Sequence, residues 1–297
     1  MEKLKAPKLK KAKKPRPKKP RPKKLRPKKL KVKKPKKKQP ETVVIKLGGS
    51  VITQKQTPKT LSNHLPRIVT EIKKAMPPRL VIVHGGGSFG HYTAKKYGTQ
   101  KGSAGKPTPE QILGFAKTQE AMEELNNHVL EKFVAQGLPV FPLQLSSLVI
   151  MENGRIKTFP VHVIRKALSM GLIPVLYGVP AFDTKKHFCI LSGDEIVQYL
   201  AKKLKASRVL LASDVDGVMT TDPKREKAEL IRTVSEKNVG KLKFLSSASD
   251  VTGGMFRKVQ ELLRLAKLGI ESEIINATVP GNVEKALRGK KIGTTIK

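Results

Sequence analysis

Lys46, Lys55, His91 and Lys258 are cationic or hydrogen-bonding side chains set beside glycine-rich turns, a pairing suited to phosphate chemistry. The run Val81-Ile82-Val83-His84-Gly85-Gly86-Gly87-Ser88-Phe89-Gly90-His91 joins a β-branched stretch to three consecutive glycines. Glycine carries no Cβ, so backbone N–H groups there can approach an anion directly. Ser88-Phe89-Gly90-His91 is compatible with a helix, so the loop opens onto a helix N-terminus, where N–H groups and the dipole favour phosphate. His91 then sits beside the bound anion. A second turn of this kind, Lys46-Leu47-Gly48-Gly49-Ser50, follows Val43-Val44-Ile45, and Lys55 comes nine residues after Lys46. A lysine ending a buried strand needs a partner. One of these lysines can bridge phosphates while the other meets charge developing on a transferred group. Two strand–glycine–helix turns in one chain bring two phosphate groups face to face, the layout of a phosphoryl transferase.

Three further stretches carry candidate groups. Ser192-Gly193-Asp194-Glu195 precedes an apolar-periodic segment and reads as a helix N-terminal turn. Ser192 or Asp194 can cap that helix, and acids suit its dipole. Asp194 can equally hold two site lysines in place. Asp214 and Asp216 follow a strand-like run at i,i+2 spacing, with Asp222-Pro223 in the next turn. They suit contact with Mg²⁺ or a nucleotide, or ordinary Asx-turn chemistry. Thr252-Gly253-Gly254-Met255 opens a helical pattern in which Lys258 lies one turn in, facing the loop. The P-loop pattern G-x-x-x-x-G-K-[ST] is absent.

The elements that position these groups alternate along the chain. Apolar runs at 43–45, 80–83, 140–142, 173–177, 208–212 and 272–275 read as strands. Helical patterns fall at 63–75, 109–136, 161–170, 194–204 and 255–268. Most of the strands are apolar throughout, as when both sheet faces are covered. That predicts an α/β fold, a mainly parallel sheet sandwiched by helices, with ligands at the carboxyl ends of the strands. Phe115, Met122 and Leu125 mark the apolar face of the longest helix, which can line a substrate pocket but reads by default as core, with His128 a surface or packed residue. Arg257 and Lys267 read as solvated helix charges. Cys189 is the sole cysteine of the chain and lies among Phe188, Ile190 and Leu191. It reads as a buried small hydrophobe, and so few thiols fit a reducing cytoplasm.

The chain has 297 residues and a net charge of +38, and residues 1–40 are a different material from the rest. They hold 22 Lys and Arg against one acid and repeat Arg-Pro-Lys-Lys. Dense proline and like charge predict an extended, disordered basic tail, followed by a catalytic domain over 41–297. The tail suits non-specific contact with anions or nucleic acid through counterion release. No aromatic residue is interleaved for base stacking. It has no apolar core of a signal peptide, and no run in the chain reaches the ~18–20 apolar residues of a membrane span.

Taken in order, the motifs resemble the amino acid kinase superfamily and, within it, the isopentenyl phosphate kinases of archaeal type. The resemblance rests on Lys46-Leu47-Gly48-Gly49-Ser50-Val51-Ile52-Thr53 with Lys55; on His84 to His91; on Ser192-Gly193-Asp194; on Ser213-Asp214-Val215-Asp216-Gly217-Val218; and on Asp250-Val251-Thr252-Gly253-Gly254-Met255 with Lys258. It implies a three-layer αβα sandwich, typically a homodimer, and Mg-ATP-dependent phosphorylation of isopentenyl phosphate to isopentenyl diphosphate in an alternative mevalonate route. Carried over by motif, Lys46, Gly48, Gly49, Ser50 and Gly87 hold the ATP phosphates, and Lys55 stabilises the transition state. Gly86, His91 and Gly193 hold the substrate phosphate. Asp194 organises Lys46 and Lys258, Lys258 neutralises nucleotide phosphates, and Asp214, Asp216 and Gly254 contact the nucleotide. After Tyr177-Gly178 the chain has Val179-Pro180 where family members often carry an acid. The alternatives are a related kinase acting on another small acceptor, and a nucleic-acid-binding protein working through its tail.

Overall fold

The computed structural model describes residues 40–103, 105–220, 228–241 and 254–297. The basic segment 1–39, Asp222-Pro223 and the stretch Asp250-Val251-Thr252-Gly253 lie outside the described residues. The first half comprises β1 (Thr42–Leu47), α1 (Gly49–Ile52), α2 (His64–Lys74), β2 (Arg79–His84), α3 (Gly87–Lys96), α4 (Pro109–Val134) and β3 (Val140–Pro142). There follow β4 (Ile150–Glu152), β5 (Arg155–Thr158), α5 (His162–Ser169), β6 (Ile173–Tyr177), β7 (Val179–Asp183) and β8 (His187–Leu191). The chain closes with α6 (Gly193–Leu204), β9 (Arg208–Ser213), β10 (Thr233–Val234), α7 (Gly254–Ala266), β11 (Glu271–Asn276), α8 (Asn282–Leu287) and β12 (Thr294–Ile296).

An eight-stranded sheet runs in the order β10-β12-β11-β9-β1-β2-β6-β3. Its pairings are parallel except for β11 with β12. Val44, Ile45, Val81, Ile82 and Val83 are all fully buried, because helices cover the sheet on both faces. The result is the three-layer αβα sandwich expected from the motif order, and Pro40–Lys297 forms one compact unit. Every strand and helix expected from the apolar patterns is present, with ends shifted by a few residues at most.

Local sequence explains how the helices start and dock. In α2, Leu65, Ile68, Val69 and Ile72 form one stripe and are fully buried. Each contributes about 1.5–3 kcal/mol of burial, far more than helix propensity supplies. Glu71 on the same helix accepts from Gly281 N, Val283 N and Glu284 N at 2.8, 3.0 and 3.3 Å, fastening α2 to the start of α8. A full capping box, Thr108 with Gln111, and Pro109 at the first position launch α4.

A second, four-stranded sheet, β5-β4-β7-β8, is the feature the sequence patterns did not announce. Its strands are short and disguised. β5 is Arg-Ile-Lys-Thr, and β7 carries Pro180 and Asp183 among its five residues. Buried Asp183 accepts from the backbone of Asn153, Gly154, Lys185 and Lys186, tying the two hairpins together. Those N–H groups outweigh the effect of burial and lower its pKa to about 2. Among the described residues no helix is long and apolar enough to cross a membrane.

Candidate functional site

The strand order reverses at β1, with β2 and β6 on one side and β9 and β11 on the other. In open α/β sheets the crevice at such a point, outside the carboxyl ends of the strands, takes the ligand. Both glycine turns leave the sheet here, Gly48 into α1 and Gly85-Gly86 into α3. They pack backbone against backbone. A Cβ on Gly49 would lie 2.3 Å from Gly87 N, and one on Gly85 would lie 2.8 Å from Gly49 N. Gly87 has φ +48°, and a Cβ there would stand 2.1 Å from Thr53 Oγ1. Side chains are therefore excluded along the seam, and the first turn of α3 faces the crevice.

Cations reach this seam from three elements. Lys46 near the end of β1 is paired with Asp194 on α6, Nζ to Oδ1 at 2.6 Å. Ser192, not Asp194, caps α6, accepting from Glu195 N at 3.2 Å, which frees Asp194 for the lysine. Burial pushes the Lys46 pKa down against the pull of Asp194, and nearby Lys258 pushes it down further. Burial raises the Asp194 pKa, but Lys46 and then Lys258 outweigh it and hold the carboxyl below its ordinary value. Asp194 thus carries the negative charge that lets two lysines share one crevice.

Lys55 forms an ion pair with Asp214. The same carboxylate accepts from Ser50 Oγ at 2.8 Å and from Ser213 Oγ at 3.3 Å. Burial raises the Asp214 pKa, but the Lys55 and Ser50 contacts carry it below the usual range. The Lys55 side chain is 65% exposed and lines the same crevice. His91 on α3 opens onto the same space. Its surroundings and then the Lys46 charge lower its pKa, leaving a neutral imidazole with one N–H to donate at pH 7.

These groups line a single cavity of about 950 Å³. It brings together Lys46, Gly48, Gly49, Ser50, Lys55, Gly86, Gly87, His91, Gly193, Asp194, Asp214 and Lys258. Asp216 is not among its walls; it is exposed and accepts from Asn276 Nδ2 at 2.9 Å. Gly254 opens α7, and Lys258 one turn on is in the lining.

Part of the lining is apolar: Met122 of α4, beside Thr118 of the same helix, and Val179, Ile190 and Leu191 of the small sheet. Met122, expected as core, is both core and wall: it is 2% exposed and lines the cavity. Gly86 and Gly90 make room for it, a Cβ on Gly90 lying 2.5 Å from its Sδ. Val179, standing where an acid was expected by resemblance, is buried and lends an apolar surface. Sequence reasoning allowed the Met122 face of the long helix as core or pocket lining, but gave Ile190 and Leu191 no role, because the strands of the small sheet are too short to recognise.

Other residues fall outside the chemistry. Cys189 is buried, and burial followed by Asp183 raises its thiol pKa to about 12, so it is inert at neutral pH. His128 packs edge-on against Phe89 and lies 3.5 Å from Glu131. His84 stacks on Tyr177 at 5.2 Å beneath the glycine turn. Its Nδ1 is 3.1 Å from Gly85 O, so it braces the turn from within the core.

The profile of the amino acid kinase family matches residues 41–276. The chain is 41% identical over 266 residues to the isopentenyl phosphate kinase of Methanothermobacter thermautotrophicus, covering 86% of this chain and 98% of that protein. It is 35% identical over 266 residues to the isopentenyl phosphate kinase of Methanocaldococcus jannaschii, covering 85% of this chain and 97% of that protein. Among solved structures, one described as X-ray structures of isopentenyl phosphate kinase superposes with a TM-score of 0.74 at 38% identity, covering 86% of this chain and 100% of that one. The cation-lined glycine crevice therefore sits in a chain that belongs to the amino acid kinase family and, within it, groups with the isopentenyl phosphate kinases.

Proposed function

We propose that this chain transfers the γ-phosphoryl group of ATP to isopentenyl phosphate, giving isopentenyl diphosphate and ADP, a step of isoprenoid synthesis. The observation that carries the reading is one cavity with two characters. Its floor presents lysines, His91 and glycine-turn backbone, and its wall of Met122, Val179, Ile190 and Leu191 is apolar. A short branched alkyl phosphate has those same two halves. An amino-acid acceptor would need partners for an α-amino and a carboxylate group, which that wall does not supply.

The acceptor is itself a phosphate, with a second pKa near ~6, so it is already a nucleophilic oxyanion at neutral pH. No general base is required. The barrier lies in holding two anions in line and neutralising the charge of the transferred group. In this reading Lys46, Gly48, Gly49, Ser50 and Gly87 hold the ATP phosphates, and Asp214, Asp216 and Gly254 contact the nucleotide. His91 donates its N–H to the acceptor phosphate beside Gly86 and Gly193. Lys55 leaves Asp214 to meet the moving phosphoryl group, and Asp194 organises Lys46 and Lys258 by offsetting their positive charge.

Bound Mg²⁺ would neutralise phosphate charge. Among the described residues no cluster of three or more acidic, histidine or cysteine side chains could cage it. Asp214, whose carboxylate faces the crevice beside Ser50, fits as a carboxylate neighbour of an ion held mainly by phosphate oxygens and water. The domain division at residue 40 belongs to this reading, with catalysis confined to 41–297.

The test is product identification by ³¹P NMR after incubation with Mg-ATP and isopentenyl phosphate. Paired diphosphate resonances with stoichiometric ADP are expected. Inorganic phosphate as the sole product would overturn the assignment.

A further inference from the structure

Thr53 is the extended residue that caps the C-terminal end of α1, the first glycine turn's short helix, and is 2% exposed. Its hydroxyl is saturated: Oγ1–H donates to Gly49 O at 2.8 Å, and Oγ1 accepts from Ser88 N at 3.0 Å. Its own N–H donates to the same Gly49 carbonyl at 2.9 Å. One side chain therefore grips Gly49, in the turn assigned to the donor phosphates, and Ser88, in the α3 start whose flanking Gly86 and His91 are assigned to the acceptor phosphate and whose Gly87 is assigned to the donor. The seam around it has no slack, since a Cβ on Gly49 or Gly87 would come within 2.3 Å of the facing atoms. The only other tie across the seam among the described hydrogen bonds is Gly85 N to Leu47 O at 3.0 Å, one strand end deeper.

We propose that Thr53 is a positioning residue that sets the separation between the donor-phosphate and acceptor-phosphate turns. It touches neither substrate's reacting atoms. It fixes two sets of backbone N–H groups relative to each other, and so fixes the approach distance of attacking oxygen and γ-phosphorus. Because phosphoryl transfer rests on positioning, a shift of about 1 Å between the turns is worth roughly a hundredfold in rate. Isopentenyl phosphate, held at Gly86, His91 and Gly193, does not depend on that separation, whereas ATP, held by Gly48 and Gly49 on one side and Gly87 on the other, does. The proposal rests on the functional reading above for which turn meets which phosphate.

The test is Thr53→Val, which keeps the shape and removes the hydroxyl, with Thr53→Ser as the conservative control. Each is assayed for kcat and for both KM values, and binding of a non-hydrolysable ATP analogue and of isopentenyl phosphate is measured singly by calorimetry. We expect T53V to lose roughly 30- to 100-fold in kcat, with the affinity for isopentenyl phosphate alone within about threefold of wild type, and T53S to recover most of the rate. A T53V enzyme with near-normal kcat but a lowered Tm would show a merely structural hydroxyl and overturn the proposal. So would a loss confined to the affinity for one ligand. If wild type itself ignores isopentenyl phosphate, the functional reading fails instead. The same Thr53 comparison is then run with the acceptor that wild type does use.

Discussion

Replacing Asp194 by Asn keeps the shape of the side chain and removes the charge facing Lys46. The two groups meet at 2.6 Å, with side chains 12% and 26% exposed for Lys46 and Asp194. Removing one partner of a fully buried pair costs about 3–5 kcal/mol. Water reaches Asp194 from the crevice, so about 2–3 kcal/mol is the appropriate figure here. Lys46 then either stays charged without its partner or gives up its proton, since burial and Lys258 already press its pKa down. Either way a placed cation is lost from the phosphates. At ~1.36 kcal/mol per decade, kcat should fall about 30- to 150-fold. The alkaline limb of the rate profile should also move to lower pH, because Lys46 deprotonates earlier without the carboxylate. On the acid side, Asp194 has a depressed folded pKa, so its stability contribution is present above its unfolded pKa. That contribution is lost as pH falls through the folded value, and D194N should lack this limb. A coupled ADP-release assay between about pH 6 and 10, with thermal melts across the acid range, reads all three. A kcat within about threefold of wild type and an unmoved alkaline limb would refute the charge-holding role.

Three further outcomes follow from the same geometry. His91→Ala should cripple turnover of isopentenyl phosphate while ATP binding stays near normal. Equal loss of ATP affinity in calorimetry would place His91 on the wrong side of the crevice. Because the His91 pKa is depressed in the apo protein, its stabilising effect is fully present above the unfolded value near ~6.5 and is lost as pH falls through the folded one. The H91A melt should therefore be less sensitive to mild acid than wild type. Gly49→Ala forces a methyl to within 2.3 Å of Gly87 N and should reduce kcat by at least a hundredfold and lower Tm, as differential scanning calorimetry and ADP release would reveal; a normal enzyme would mean the seam can open freely. Removing residues 1–40 lowers the net charge from +38 to +17 and should leave kcat unchanged while weakening salt-sensitive retention on a polyanion column. Loss of catalysis on truncation would make the tail part of the enzyme.

Much of the fold was legible because its central strands announce themselves. Val43-Val44-Ile45 and Val81-Ile82-Val83 are β-branched and uninterrupted, since each is buried on both faces, and glycines mark where each stops. The glycine turns and lysines could be read as a phosphate site for the same reason: few other structures need Gly-Gly-Gly after a buried strand. The small sheet was not legible. Val179-Pro180-Ala181-Phe182-Asp183 carries a proline and an acid, and the strand is completed by partners farther along the chain. Asp183 finds the backbone of another hairpin, and Pro180 sits opposite Ile190. With that sheet went the apolar wall, hence the half of the site that distinguishes an alkyl phosphate from other acceptors. Thr53 was visible within a motif but had no evident task, because its work is to join two turns 35 positions apart.

The central claim is that an apolar wall and a phosphate floor in one cavity select isopentenyl phosphate. The most direct measurement is kcat/KM for ADP release with Mg-ATP, comparing isopentenyl phosphate with uridine monophosphate, acetylglutamate and carbamate under identical conditions. Turnover of isopentenyl phosphate at least a hundredfold more efficient than any other acceptor is the predicted result. Preference for one of the other three would keep the fold and the nucleotide side of the crevice but contradict the assignment of its acceptor.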